Sequence, residues 1–301
     1  MTPYQLAPYD KLIVYQKNYT SDFVRKAILD DNLDGLRIFA HLKDQKLENL
    51  DFLKEYTFLE RLDISTVIEN DFDYSFLKNL QNLKHLSLGI CVLNKKSSNT
   101  VNVGSLVKLK TFSVEFNQQF CGLENCLNIE HLFLGDFKQS DLNTISCLSN
   151  LKTLRIKEST ISELNGIASF KNLESALFGH CKRLKDVKAI NGLQNLSKLT
   201  FSNCPKIKTV NTLNQLPRLE MLELIDCKEI DTLNFLNYLP NLQNLKFGGT
   251  IVLDGNLTPA QRIKSVFYHH KKQYNIKLDT TEQDEIYKKN MQKLKEWSNG
   301  K

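Results

Sequence analysis

The sequence predicts an α/β repeat protein: a curved parallel sheet on a concave face, with short helices or 3-10 turns on the convex face. Two observations predict it. The template L-x-x-L-x-L-x-x-C, matched at 219–227 and, with Phe201 in its sixth position, at 196–204, starts at Leu59, Leu83, Leu109, Ile129, Leu151, Leu173, Leu196, Leu219 and Leu242. The steps are 24, 26, 20, 22, 22, 23, 23 and 23 residues, and such a period marks stacked units rather than one closed core. After the two best copies, apolar residues recur every third position (Ile207, Val210, Leu213, Leu216; Ile230, Leu233, Leu236, Leu239), which suits tight 3-10 turns.

The elements follow in order. Residues 1–32 form an N-terminal cap: a strand-like YDKLIVYQ, then a helix in TSDFVRKAILDD with Thr20 or Ser21 as N-cap. Phe23, Val24, Ala27 and Ile28 are expected to face the first repeat. Residues 33–270 form the array, about 10–11 repeats, opened by a weaker copy from Leu33 and closed by another from Ile263. Within each nonamer the apolar residues alternate with polar ones, the signature of a short strand with one buried face. Many connections close with Pro-x-Leu or Asn-Leu, at Pro217, Pro240, Asn82, Asn150 and Asn172. The segments 69–75 and 94–100 are polar insertions expected in loops. Residues 271–301 form a basic C-terminal cap. Asp279 or Thr280 starts its helix over about 281–298, and Ile286, Tyr287, Met291, Leu294 and Trp297 form its apolar stripe.

Composition removes several function classes. A hydrophobic content of 41% with 25% charged residues argues against disorder and against a membrane protein. No run of about 18 apolar residues occurs. Seven cysteines without paired spacing, and an N-terminus unlike a secretory signal, point to a reducing compartment, the cytoplasm. The net charge of +6 is concentrated in residues 259–301, where ten basic residues face five acidic ones, so the array itself is near neutral.

These repeats resemble leucine-rich-repeat proteins of the short, 22–23-residue class, which bacterial internalins and the regulatory subunits of protein phosphatase 1 use. The resemblance implies a right-handed leucine-rich-repeat solenoid, a bacterial source, a monomer and a non-enzymatic protein–protein interaction module. A narrower implication is an immunity-type protein that neutralises a cognate bacterial toxin. Ubiquitin ligases that share the repeat carry a separate catalytic cysteine domain, whereas no cysteine follows Cys227.

The chemistry agrees with that implication. Cys91, Cys181, Cys204 and Cys227 share the ninth template position, where a small side chain turns inward and meets backbone carbonyls. Their one-strand spacing fits neither a disulfide nor a tetrahedral metal site. Cys121 and Cys126 lack a matching second pair, and no hydrolase, metalloprotease or phosphate-loop motif occurs, so no metal, cofactor or catalytic residue is expected. Template positions three, five and seven face away from the core and line up in columns. Column five is mostly polar but turns to Phe133, Arg155 and Leu177 in adjacent units. With His131, Lys157, Met221, Ile225 and Phe116 they form the predicted partner-binding set, since clustered aromatic, Arg and aliphatic side chains make interaction hot spots. Gly89, Gly135, Gly179 and Gly248 in column seven are expected to leave room for a partner. The expected partner is a protein. No membrane is expected, and nucleic-acid association through the basic tail is the alternative of another class.

Overall fold

A computed structural model describes residues 12–40, 49–68, 73–92, 99–115 and 119–280. The helix expected over about 281–298, Phe116 and Asn117, and most of the two polar insertions lie outside the described residues. The chain divides into two units, Met1–Phe137 with Ile145–Lys152, and Lys138–Thr144 with Thr153–Lys301.

The first unit contains β1 (Leu12–Val14), α1 (Ser21–Asp30), β2 (Gly35–Ala40), β3 (Arg61–Ile68), β4 (His85–Val92), β5 (Thr100–Asn102), β6 (Thr111–Val114), β7 (Gln119–Cys121) and β8 (His131–Gly135). Its main sheet is parallel, in the order β1-β2-β3-β4-β6-β8, and β5 pairs with β7 alongside. The Thr20 hydroxyl caps α1 by accepting from the Phe23 amide at 3.2 Å. Val24 is fully buried, but Phe23 is 48% exposed and lies against Tyr19 instead of the first repeat, which corrects its assignment to the buried face.

The second unit contains β9 (Thr153–Lys157), β10 (Ser175–Gly179), β11 (Lys198–Ser202), β12 (Met221–Ile225), β13 (Lys228–Ile230), β14 (Asn244–Lys246), β15 (Thr250–Val252) and β16 (Ser265–Phe267). The order β9-β10-β11-β12-β14-β16 is again parallel, with β13 paired to β15. Leu154, Ile156, Phe178, Leu199, Phe201 and Leu222 are fully buried, so alternate strand residues fill the core. Burying each such side chain is worth about 1.5–3 kcal/mol.

The return segments are single 3-10 turns, Ile167–Ser169, Lys188–Ile190, Val210–Thr212, Asn234–Tyr238 and Thr258–Ala260. Their every-third-residue apolar positions, Ile230, Leu233, Leu236 and Leu239 among them, are buried. A spacing of three keeps those side chains on one side of a 3-10 path. The asparagine before the nonamer has a physical role too. The amides of Asn82, Asn128, Asn150, Asn195 and Asn241 donate at 2.6–3.0 Å to carbonyls of the preceding repeat, at Thr57, Val107, Leu127, Lys171 and Pro217. Carbonyls left over by the open turns are thereby satisfied.

The strands β9–β12 and β14 of the second unit leave the sheet through a two-residue hinge. Template position eight is left-handed, with φ of 54° at Glu158, His180 and Asn203, 52° at Asp226 and 73° at Gly249. The N–H groups of Glu158, His180, Asn203 and Asp226 donate to Gly179, Ser202, Ile225 and Gly248 of the following repeat at 2.7–2.9 Å. Position nine then turns inward. The thiols of Cys181, Cys204 and Cys227 donate to the carbonyls of Ile156, Phe178 and Phe201 at 4.0, 3.3 and 3.5 Å. Thr250 replaces cysteine in the next repeat, its hydroxyl donating to Leu224 O and accepting from Cys227 N. Cys91 departs from this pattern. It lies inside β4, in register with Val67, because β3 and β4 continue past the point where the later strands turn.

Candidate functional site

Because every second strand residue is buried, the exposed sheet face of each unit presents the remaining side chains in rows. In the second unit one row runs Arg155, Leu177, Thr200, Glu223, Lys246 and Phe267, each in register with the next. Arg155 and Leu177 are therefore lateral neighbours, about one strand spacing, ~4.8 Å, apart. Lys157 is in register with Gly179. The Cβ position missing at Gly179 is closely approached by Lys157 Cγ (3.4 Å) and Leu177 Cδ2 (3.6 Å). The aliphatic stem of Lys157 and the Leu177 side chain thus close over the glycine, and two cationic residues flank one half-buried leucine. A long cationic side chain can add apolar area while its head stays hydrated.

Met221 and Ile225 stand apart from this group. Both are half-buried on β12, separated from β10 by Lys198, Thr200 and Ser202 of β11. Between them Glu223 accepts a hydrogen bond from Thr200 at 2.9 Å and pairs with Lys246 at 2.8 Å. The predicted set in this unit therefore resolves into Arg155, Leu177 and Lys157 on one side and two separated apolar residues on the other. Gly248 does not leave the room expected of it. An added Cβ at Gly248 would lie 2.6 Å from the Phe267 ring, so the next strand fills that space from within.

The first unit carries His131 and Phe133, both half-buried on β8. Phe133 is in register with Ser113, and His131 with Thr111. Further along the same face, Asp63 Oδ2 is shared by Arg37 at 3.0 Å and Arg61 at 3.2 Å. The His85 and Thr111 side chains are hydrogen-bonded at 3.0 Å. Burial, reinforced by the Arg61 charge, holds the His85 pKa below its ordinary value, so the ring is neutral at pH 7. Phe39 on β2, 45% exposed, is a large apolar residue on this face that reading column five alone misses. Its position in column seven was the available signal.

The inward thiols are buried, and their pKa values move in different directions: the hydrogen bond with Cys181 lowers Cys204, while the others are raised. Burial pushes Cys227 up to about 12 and Cys126 up to about 11. A hydrogen bond with Cys204, and then burial, push Cys181 up as well. Cys126, Cys181 and Cys227 are thus held as protonated, enclosed thiols of low reactivity. Among the described residues no group of three His, Cys, Asp or Glu side chains is placed to hold a metal ion. No described helix is long and apolar enough to cross a membrane.

A family model described as the BspA type leucine rich repeat region matches residues 156–275 in 6 copies. Residues 156–275 are therefore a leucine-rich-repeat region. Solved leucine-rich-repeat structures resemble it at low identity. The structure titled as a TLR13–ssRNA13 complex is 22% identical with a TM-score of 0.56, over 79% of this chain and 36% of that one. Internalin InlF from Listeria monocytogenes is 18% identical with a TM-score of 0.48, over 72% of this chain and 75% of that one. The leucine-rich-repeat domain of the type III effector XopL is 18% identical with a TM-score of 0.49, over 67% and 73%. No curated protein matches the sequence significantly. These likenesses concern the fold; the leucine-rich repeats typically serve protein–protein interaction, and function has to be argued from the site.

Proposed function

We propose that this leucine-rich-repeat protein is a cytoplasmic, non-enzymatic binding module that holds a partner protein on the exposed sheet face of its second unit. One observation carries the reading: Arg155 and Leu177 sit side by side in register, and Leu177 and Lys157 close over Gly179, on a face whose other side chains are mostly small, polar or ion-paired. Arginine beside a partly exposed aliphatic residue is a favourable anchor, because both bury area against a partner at modest desolvation cost. His131 and Phe133 offer a separate contact on the first unit. The ladder thiols stand unbonded, which suits a reducing compartment.

The test is affinity capture from the source cells with the wild type and with an Arg155→Glu/Leu177→Asp variant. Both positions are half-exposed, so the variant should melt within a few degrees of the wild type. A partner held by the wild type and lost by the variant supports the reading. Equal capture by both would place binding elsewhere.

A further inference from the structure

On leaving β10 and β11 the chain carries two short cationic runs, Lys182-Arg183-Leu184-Lys185 and Lys206-Ile207-Lys208. Leu184 and Ile207 are buried, so their cationic neighbours are turned outward. The two runs lie side by side: Lys208 N donates to Lys185 O at 3.1 Å, as Lys185 N does to Ser162 O at 2.9 Å. Lys182, Arg183, Lys185, Lys206 and Lys208 are all exposed, and among the described residues none of them forms an ion pair. The carboxylate between the runs, Asp186, is engaged by the Lys188 amide at 2.8 Å and the Thr209 hydroxyl at 3.1 Å.

The cluster has edges. In the following repeat Lys228 pairs with Glu229 at 3.6 Å and Asp231 follows, while the preceding repeat carries Glu163, whose backbone pairs with that of Asp186. The neighbouring repeats thus bring carboxylates to this flank, and the cationic excess is confined to two consecutive repeats. No aromatic side chain is exposed between Cys181 and Thr209, where Phe201 is buried, so the flank has no platform on which nucleic-acid bases could stack. Four lysines and one arginine act mainly as point charges, suited to carboxylates spaced along a peptide.

We infer that this flank of the second unit receives an acidic, Asp/Glu-rich stretch of the partner protein. The inference rests on the proposed protein-binding role of the adjoining sheet face. Lys182 follows Gly179 by only three residues, so a peptide seated at Leu177 can continue directly onto the cationic runs. The two parallel runs span roughly 10 Å along the chain, the length of about three or four extended residues.

The test is fluorescence anisotropy of the full chain with a labelled ten-residue polyglutamate peptide in about 20 mM salt, where exposed charges are weakly screened. The variant carries Gln at Lys182, Arg183, Lys185, Lys206 and Lys208. A charge-matched control carries Gln at Lys171, Lys264, Lys271, Lys272 and Lys277. Peptide affinity should fall on the order of tenfold in the variant and less than about twofold in the control. A milder Lys206→Gln/Lys208→Gln form should fall between them, which guards against a folding defect. No peptide binding by the wild type, or equal loss in variant and control, would overturn the inference. Tighter, equally patch-dependent retention of a ten-residue oligothymidylate would assign the flank to nucleic acid and overturn it as well. Failure of the sheet-face reading shows as equal partner capture by the wild type and Arg155→Glu/Leu177→Asp, a readout separate from peptide anisotropy with the Gln variants, so the two failures give different results.

Discussion

The two units are built from the same leucine template and differ in how their strands end. In the second unit every strand from β9 to β12 spans five residues and exits through a left-handed residue followed by an inward serine or cysteine. In the first unit β3 and β4 run for eight residues through that point, pairing Val67 with Cys91 and Ile68 with Val92. Among the described residues of that unit, only Asp136, at φ 54° after β8, opens the hinge pattern. The family model covers residues 156–275, within the second unit. Leucines alone define the stack, but a regular exit gives the repeat its constant length. The sheet faces differ as well. Carboxylates clasp the first unit's face, with Asp63 holding two arginines, while Arg155, Leu177 and Lys157 cluster on the second.

That contrast can be broken by substitution. The largest effect is expected from the second unit's core, where Phe201 is fully buried and stacked on Phe178 with centroids 5.6 Å apart. Phe201→Ala should cost about 3–5 kcal/mol in urea unfolding. Next comes the hinge. Thr250→Val removes a donor to Leu224 O and an acceptor for Cys227 N, and should cost about 1–3 kcal/mol, whereas Thr250→Ser should recover most of it. If Val and Ser behave alike, the hinge hydroxyl does not hold the exit.

The smallest effect concerns the first unit and pH. Because His85 has a folded pKa below the ordinary value of about 6.5, the unfolded chain binds the proton more readily. The resulting stability is present above that ordinary value and lost as pH falls through the folded pKa. Urea midpoints should therefore drop between about pH 7.5 and 5, and His85→Gln should flatten part of that drop. An unchanged slope in the variant would show that other groups cause it.

Much of the fold was legible because buried leucines at fixed spacing leave few alternatives. The return turns were legible for the same reason, as Leu233 and Leu236 show. The left-handed exit was not, since Glu158, His180, Asn203 and Asp226 share a conformation without sharing a residue type. Cys91 shows the converse: a matching residue at the template position inside a strand that does not turn. On the sheet face, strand register brings Arg155 beside Leu177, as the columns imply, while Met221 and Ile225 fall two strands away. The room expected at Gly248 is taken by Phe267, a contact from the next repeat that no local pattern announces. The cationic flank was present in the sequence as Lys182-Arg183 and Lys206-x-Lys208, but a near-neutral sum over the array conceals a local excess.

The most direct test compares the two faces under one chemistry. A photoreactive benzophenone side chain is placed at position 177 on the second unit or at position 87 on the first, and irradiated in the source cells. A discrete adduct with a single protein at 177, and none at 87, is the expected result. Adducts at 87 alone, or equal diffuse labelling at both positions, would contradict a binding face on the second unit.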